Sequence, residues 1–403
     1  MRVTGSMLVA SLLCFATGNA VAVDPSSGEP RIEALLRQVP LVDGHNDLFV
    51  HYMDCESCPV GLDAYDIGKP VAGDTDIARW RKGNVGAQLL NVFGAKPGTR
   101  ETLDAFDFLR RLADRYNGDL EIAATAADVR RIHAQGRIAL IPTMEGATRL
   151  ENSPAMLRTL HRLGLRAVNL AFKTNDLADA AGDAPRHGGL SPKGAEIVRE
   201  MNRIGVLVDL SHVTHDAMND VLDIVTAPVI FSHSSARALT DVERNVPDDV
   251  LRRLPRNGGI VMVSFVPYFT SSAHAGWMDQ RDALDESLHA RFKSGQITGE
   301  QGDAEVAAWQ ASHPEPAVGV SAVADHIEHI RRIAGVDHVG LGSDFDGISA
   351  KVVGLEDVSK FPVVLGELAR RGWSDEDLGK LAGENFLRVM QDAERASARP
   401  SGD

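Results

Sequence analysis

The sequence predicts an α/β chain closed into a single (β/α)8 TIM barrel, and three observations carry that prediction. Eight short apolar, β-branched runs recur along the chain, at 41–48, 86–93, 137–145, 165–172, 205–212, 228–234, 258–265 and 338–344. Helical patterns with start and stop signals separate them. Runs such as Gly205-Val206-Leu207-Val208-Asp209-Leu210 are almost continuously apolar, as strands buried on both faces are. Strands that alternate with helices make parallel βα units, and eight units in one chain suggest closure. An open doubly wound sheet is the structural alternative, but it lacks its glycine fingerprint for a nucleotide here.

Taken in order, the first run is followed by a long loop, 49–80. The third run is followed by Ser153-Pro154, an N-cap and first-turn pair that opens a helix closed by Gly164. After the fourth, Ser191-Pro192 opens another helix that ends at Gly205. The seventh run leads into a polar, partly helical insertion at about 266–320, of the kind that forms lids or substrate walls. Ser374, with Asp377 three residues on, begins a last helix through residue 389 as a variant of the capping box.

At 403 residues a second domain would fit, but a barrel with insertions also reaches this length. The net charge of −14 disfavours nucleic acid as a partner, because neutralising phosphates takes a basic face. Residues 1–22 read as a signal peptide: Arg2 starts it, Met7 to Ala16 is a short apolar run, and Ala20-Val21-Ala22 has the small-x-small form of a cleavage site. A buried N-terminal helix and a lipid-modified Cys14 are the alternatives. The mature chain, 23–403, is then expected in the periplasm or outside the cell. The run is too short to span a bilayer, and no apolar tail follows Val389, so no transmembrane anchor is expected. Cys55 and Cys58 remain after cleavage, and an oxidising compartment permits a local disulfide between them. Two idle thiols are the other reading, since no second cysteine pair completes a Cys-type zinc site.

Active sites on this fold lie at the C-terminal ends of the strands. The first run ends in His45-Asn46-Asp47, the third in Glu145, the fifth in Ser211-His212, the sixth in Ser232-His233 and the eighth in Ser343-Asp344. Spacing of i, i+2 sends His45 and Asp47 to one face of a strand, where imidazole and carboxylate together suit a divalent ion such as zinc. His212 and His233, from adjacent strands, offer a second ion two more ligands. Glu145 lies between with two oxygens for bridging. Two metals about 3.5–4 Å apart share a water and lower its pKa. Asp344 is left as a carboxylate suited to moving protons.

At these residues the chain resembles the membrane (renal-type) dipeptidase family, within the metal-dependent amidohydrolases. The resemblance runs from about residue 41 to residue 389. It rests on Val42-Asp43-Gly44-His45-Asn46-Asp47, Met144-Glu145-Gly146, Gly189-Leu190-Ser191-Pro192-Lys193-Gly194, Val208-Asp209-Leu210-Ser211-His212, Ser232-His233-Ser234-Ser235-Ala236-Arg237 and Arg244-Asn245-Val246-Pro247-Asp248. The longest stretch is Asp337-His338-Val339-Gly340-Leu341-Gly342-Ser343-Asp344-Phe345-Asp346-Gly347. The resemblance implies two zinc ions per chain, His45 and Asp47 on one, His212 and His233 on the other, and Glu145 bridging them. It implies Asp344 as acid and base, and Arg237 as the fork that holds a substrate carboxylate. The implied partner is a small peptide: a dipeptide, with a D-residue tolerated on its C-terminal side. Some members of the family open β-lactams, and a homodimer is compatible with this reading.

Two departures from the family pattern stand out. Glu145-Gly146-Ala147-Thr148 replaces the usual Glu-Gly-Gly-His, and Leu170-Ala171-Phe172 replaces Leu-Thr-His, whose histidine touches the substrate. Phe172 therefore falls in the substrate site with no hydrogen-bond donor, and Lys173 and Asn175 are the nearest replacements. An amidohydrolase acting on an N-acyl amino acid, a lactam or a modified peptide, and a non-catalytic metal-binding relative, stay open beside the dipeptidase.

Overall fold

The computed structural model describes residues 29–53, 60–93 and 98–397. The expected leader, 1–22, and the Cys55 and Cys58 pair lie outside the described residues. Nine strands form one parallel sheet: β1 (Leu41–Asn46), β2 (Val85–Asn91), β3 (Leu120–Ile122), β4 (Ile138–Met144), β5 (Ala167–Asn169), β6 (Leu207–Asp209), β7 (Ile230–Phe231), β8 (Ile260–Val263) and β9 (Val339–Leu341). Eight of them close a barrel. β1 pairs with β2 and with β9, β2 passes over β3 to pair with β4, and β4 to β9 pair in succession. This is the (β/α)8 barrel expected from the eight runs.

β3 is the strand the sequence pattern does not announce. It is three residues long and pairs with the start of β4, Leu120 opposite Ile138, while β5 pairs only with the end of β4, Thr143 opposite Ala167. Strands are also shorter than their apolar runs. β7 keeps two residues of 228–234, because the chain turns out of the ladder to present Ser232 and His233.

Cap chemistry sets the helices between strands. Ser153 accepts from the Met156 N–H at 3.2 Å to start helix Pro154–Leu163, which ends at Gly164. Ser191 accepts from Gly194 at 3.0 Å to start Pro192–Ile204, and Gly205 leaves it at φ 79°. Ser374 starts its helix as expected, accepting from Asp377 N at 3.1 Å. The Asp377 carboxylate does not complete a capping box, however, since Arg331 takes it. A π turn, Lys380–Glu384, interrupts this last helix, which then runs to Ser397.

One apolar cluster joins Val42, Ala87, Leu89, Ala139, Ile141, Ala167, Leu207, Ile230, Ile260 and Met262 from seven of the barrel strands. It fills the interior below the strand ends. Gly44 belongs to this layer: a Cβ there would lie 2.7 Å from the Met262 sulfur. The insertion after β8 is a helical hairpin, Ser272–Lys293 and Gly299–Ser312, clasped by Arg291–Glu305 at 2.7 Å and Trp277 against Trp309. Among the described residues, no helix is long and apolar enough to cross a membrane.

Candidate active site

Above the apolar layer the inward side chains become polar at every strand end that carries an expected ligand. Two buried carboxylates act as anchors there. Asp43 accepts from Ser343 N and Ser343 Oγ, both at 2.7 Å, and from Gln88 Nε2 at 2.8 Å, which ties β1 to β2 and to the turn after β9. Asp209 accepts from the backbone N–H groups of Ser211 and Ser232, both at 3.0 Å, tying β6 to β7. Neither residue was singled out from the sequence. Their signal was a carboxylate one step inside a strand end, which reads equally as a turn.

These anchors aim the ligands. A register shift between Asp43 and Asn46 breaks the strict alternation expected of β1, yet His45 and Asp47 still meet, with Nε2 3.4 Å from Oδ2. His45 Nε2 is 3.8 Å from Glu145 Oε1 and 3.9 Å from Asp344 Oδ1. Glu145 Oε1 is also 2.8 Å from His212 Nε2 and 3.4 Å from His233 Nε2. Three overlapping sets result, His45–Asp47–Glu145, Glu145–His212–His233 and His45–His233–Asp344, each with ligand atoms within 4.8 Å of one another. Asn91 at the end of β2 donates to Asp47 at 2.9 Å and to Glu145 at 3.2 Å, so it fixes the two carboxylates relative to each other.

The donor set fits divalent cations. His45 Nε2 is buried without a hydrogen-bond partner among the described residues. The Nε2 atoms of His212 and His233 face each other at 2.9 Å. Ser232 Oγ donates to Asp209 at 2.5 Å and so accepts from His233 Nδ1 at 2.8 Å, which puts the ring proton on Nδ1 and leaves Nε2 with a lone pair. Burial holds His212 and His233 well below the ordinary histidine pKa, as neutral ligands. Burial opposes charge on His45 too, but Asp47 and Glu145 around it hold its pKa up. Burial also pushes Glu145 and Asp344 each up to about 7. A metal cation bound there would take the place of the protons these groups otherwise compete for. Gly347 keeps the space open, because a Cβ there would strike Asp47 Oδ2 and lie 2.9 Å from Asp344 Oδ1. His212 and Asp344 adopt left-handed backbone, φ 69° and 71°, which turns their side chains back over the barrel mouth.

Asp47, Glu145, His212 and Asp344 line a cavity of about 560 Å³. Phe172 also lines it, 48% exposed, with its ring 4.9 Å from that of His212. It is therefore a wall of the site and not core. The two candidate replacement donors are engaged elsewhere. Lys173 pairs with Asp183 at 3.4 Å, and Asn175 is buried in its own turn, donating to Leu170 O and accepting from Leu177 N. Arg237 does not line the cavity: it pairs with Asp241 at 2.8 Å on the outer side of its loop and is one-third exposed. Arg244 is likewise outside the cavity lining, but of the two its guanidinium is the one that stands beside the cluster. It stacks 4.9 Å over the cavity residue Phe269, is held at 3.3 Å from His233 O, and has a buried Nε with no partner among the described residues. The hairpin insertion barely reaches the site, and only Val266 and Phe269 at its start face the cavity.

Comparison with known proteins agrees with this geometry. The family model described as membrane dipeptidase, peptidase family M19, matches residues 29–402. Dipeptidase tcpJ of Claviceps purpurea is 40% identical over 375 residues, 89% of this chain and 78% of that one. Dipeptidase verJ of Clonostachys rogersoniana is 36% identical over 382 residues, 91% and 87% of the two chains. The crystal structure of the probable dipeptidase PvdM from Pseudomonas aeruginosa superposes with a TM-score of 0.77 at 26% identity, covering 92% of this chain and all of that one.

Proposed function

We propose, from the premise that this chain belongs to the membrane dipeptidase family, peptidase family M19, that it is a two-zinc dipeptidase working in the periplasm or outside the cell after loss of residues 1–22. Its substrates on this reading are dipeptides, those with a C-terminal D-residue included. The observation that carries the reading is the sharing of Glu145 between two imidazole–carboxylate sets at the mouth of the barrel. His45, Asp47 and Glu145 would hold one ion, and Glu145, His212 and His233 the other. When bound, such a pair supplies Lewis-acid polarisation of the scissile carbonyl and a water acidic enough to ionise near neutral pH.

The chain's own residues do the rest. Asp344 faces the cavity and takes up the proton that the attacking water loses, then returns it to the departing amine. Burial keeps this carboxyl near the pKa such two-way traffic needs. Asn91 holds Asp47 and Glu145 in register. Arg244, in place of Arg237, is the fork for the substrate's free carboxylate, because it alone of the two stands beside the ligand cluster.

Metal analysis of protein purified without chelator should give about two zinc ions per chain, and removing them should abolish hydrolysis of a dipeptide panel. Arg244→Met should raise KM for dipeptide acids far more than Arg237→Met does. Metal-free protein that still hydrolyses dipeptides would sink the zinc reading. Equal rates on dipeptide acids and their amides would sink the role of Arg244.

A further inference from the structure

One arginine that lines the cavity is not used by the reaction just described. Arg149 sits on the short turn Ala147–Leu150 that follows Glu145, and it lines the same cavity. Among the described residues its buried Nε has no partner, and its one hydrogen bond is a long one, 3.5 Å from Nη1 to Glu145 O. No carboxylate among the described residues lies within ion-pair distance of it, although most arginines of this chain have one. Its guanidinium rests 5.6 Å from the ring centroid of Phe93. Phe172 stands next to the same turn, its Cβ packed beside Gly146. The result is a cation with free donors beside the Phe93 ring, in the cavity that Phe172 and the cluster residues also line.

Position around the barrel gives this cation a direction. β4, which precedes Arg149, is third of the eight staves, and β7, which precedes Arg244, is sixth. The two arginines therefore approach Glu145 from well-separated sides of the mouth. If the C-terminal carboxylate is held at Arg244 and the scissile carbonyl lies over Glu145, the side chain of the N-terminal residue faces Arg149. We propose that Arg149 binds an acidic side chain on the N-terminal residue, so that the enzyme selects dipeptides beginning with glutamate. Phe93 and Phe172 supply apolar surface for the two methylenes of a glutamyl stem, and the guanidinium meets its carboxylate. This inference rests on the dipeptidase reading and on Arg244 as its carboxylate anchor.

The test compares Glu-Ala with its neutral isostere Gln-Ala on zinc-loaded wild type, Arg149→Met and Arg149→Lys. Wild type should favour Glu-Ala in kcat/KM by about 10- to 100-fold, the range of a charge-assisted hydrogen bond, with the difference in KM. Arg149→Met should bring the ratio near one, and Arg149→Lys should restore part of it. A wild-type ratio near one overturns the proposal, and so does a ratio that survives in Arg149→Met, including one where both rates drop together. Failure of the zinc-replete wild type to cleave either peptide would instead remove the dipeptidase reading. Calorimetric titration with uncleavable phosphinate analogues of the same two peptides then decides the role of Arg149 by the same ratio.

Discussion

Asp344 and His45 lie within 3.9 Å, yet their environments assign them different work. His45 sits among carboxylates with a bare Nε2, whereas Asp344 faces the cavity with a pKa raised by burial. Asp344→Asn should therefore cut turnover by about 10²–10⁴-fold, the usual contribution of a general acid–base, while metal content stays near two per chain. Loss of metal from that variant would make Asp344 a ligand and reassign the proton transfer. That His45, Asp47, Glu145, His212 and His233 come together was legible in the sequence, because each closes an apolar run and chemistry limits what such residues do together. The arginines were not. Arg237 and Arg244 both follow the sixth run in an irregular loop, and without periodicity nothing in the sequence tells which one turns inward. Asp241, four residues after Arg237, draws that side chain outward.

Among the elements, the β6 and β7 ends act as one unit. Asp209 and Ser232 bind each other across the ladder, and Ser232 in turn fixes the proton of His233. Ser232→Ala keeps the backbone bonds to Asp209 but removes the hydroxyl. Zinc affinity, measured by competition with a chromogenic chelator, should fall about 10–100-fold, the usual cost of losing a group that orients a ligand. An unchanged affinity would show that the tautomer is set elsewhere. The eight staves were legible from their apolar runs, and the helix starts at 153, 191 and 374 from their caps. β3 was not, because three residues with Glu121 at the centre carry no pattern. The lengths of β6 and β7 were not either, since most of the residues that leave the ladder early are themselves apolar or small.

For the molecule as a whole, acid is the expected weakness. His326, in the helix Val320–Ala334, is 1% exposed and accepts the Ala236 N–H through Nδ1 at 2.9 Å. Burial lowers its pKa to about 4. The folded ring thus stays neutral where the unfolded ring, with a pKa of about 6.5, gains a proton. The unfolded state binds more protons in that window, so stability should fall by roughly 3 kcal/mol from this group as pH drops from about 6.5 to about 4, and not above it. Denaturant midpoints across that range should fall less steeply for His326→Gln than for wild type; parallel curves would remove His326 as the cause. The left-handed backbone of His212 and Asp344 bears on the same balance. Each side chain is held over the mouth in a conformation that a glycine would adopt with less strain, so the fold gives up about 1–3 kcal/mol at each to keep it there. Selection for heat resistance alone therefore favours glycine at 212 and 344, and it would return hardier barrels that have lost their chemistry.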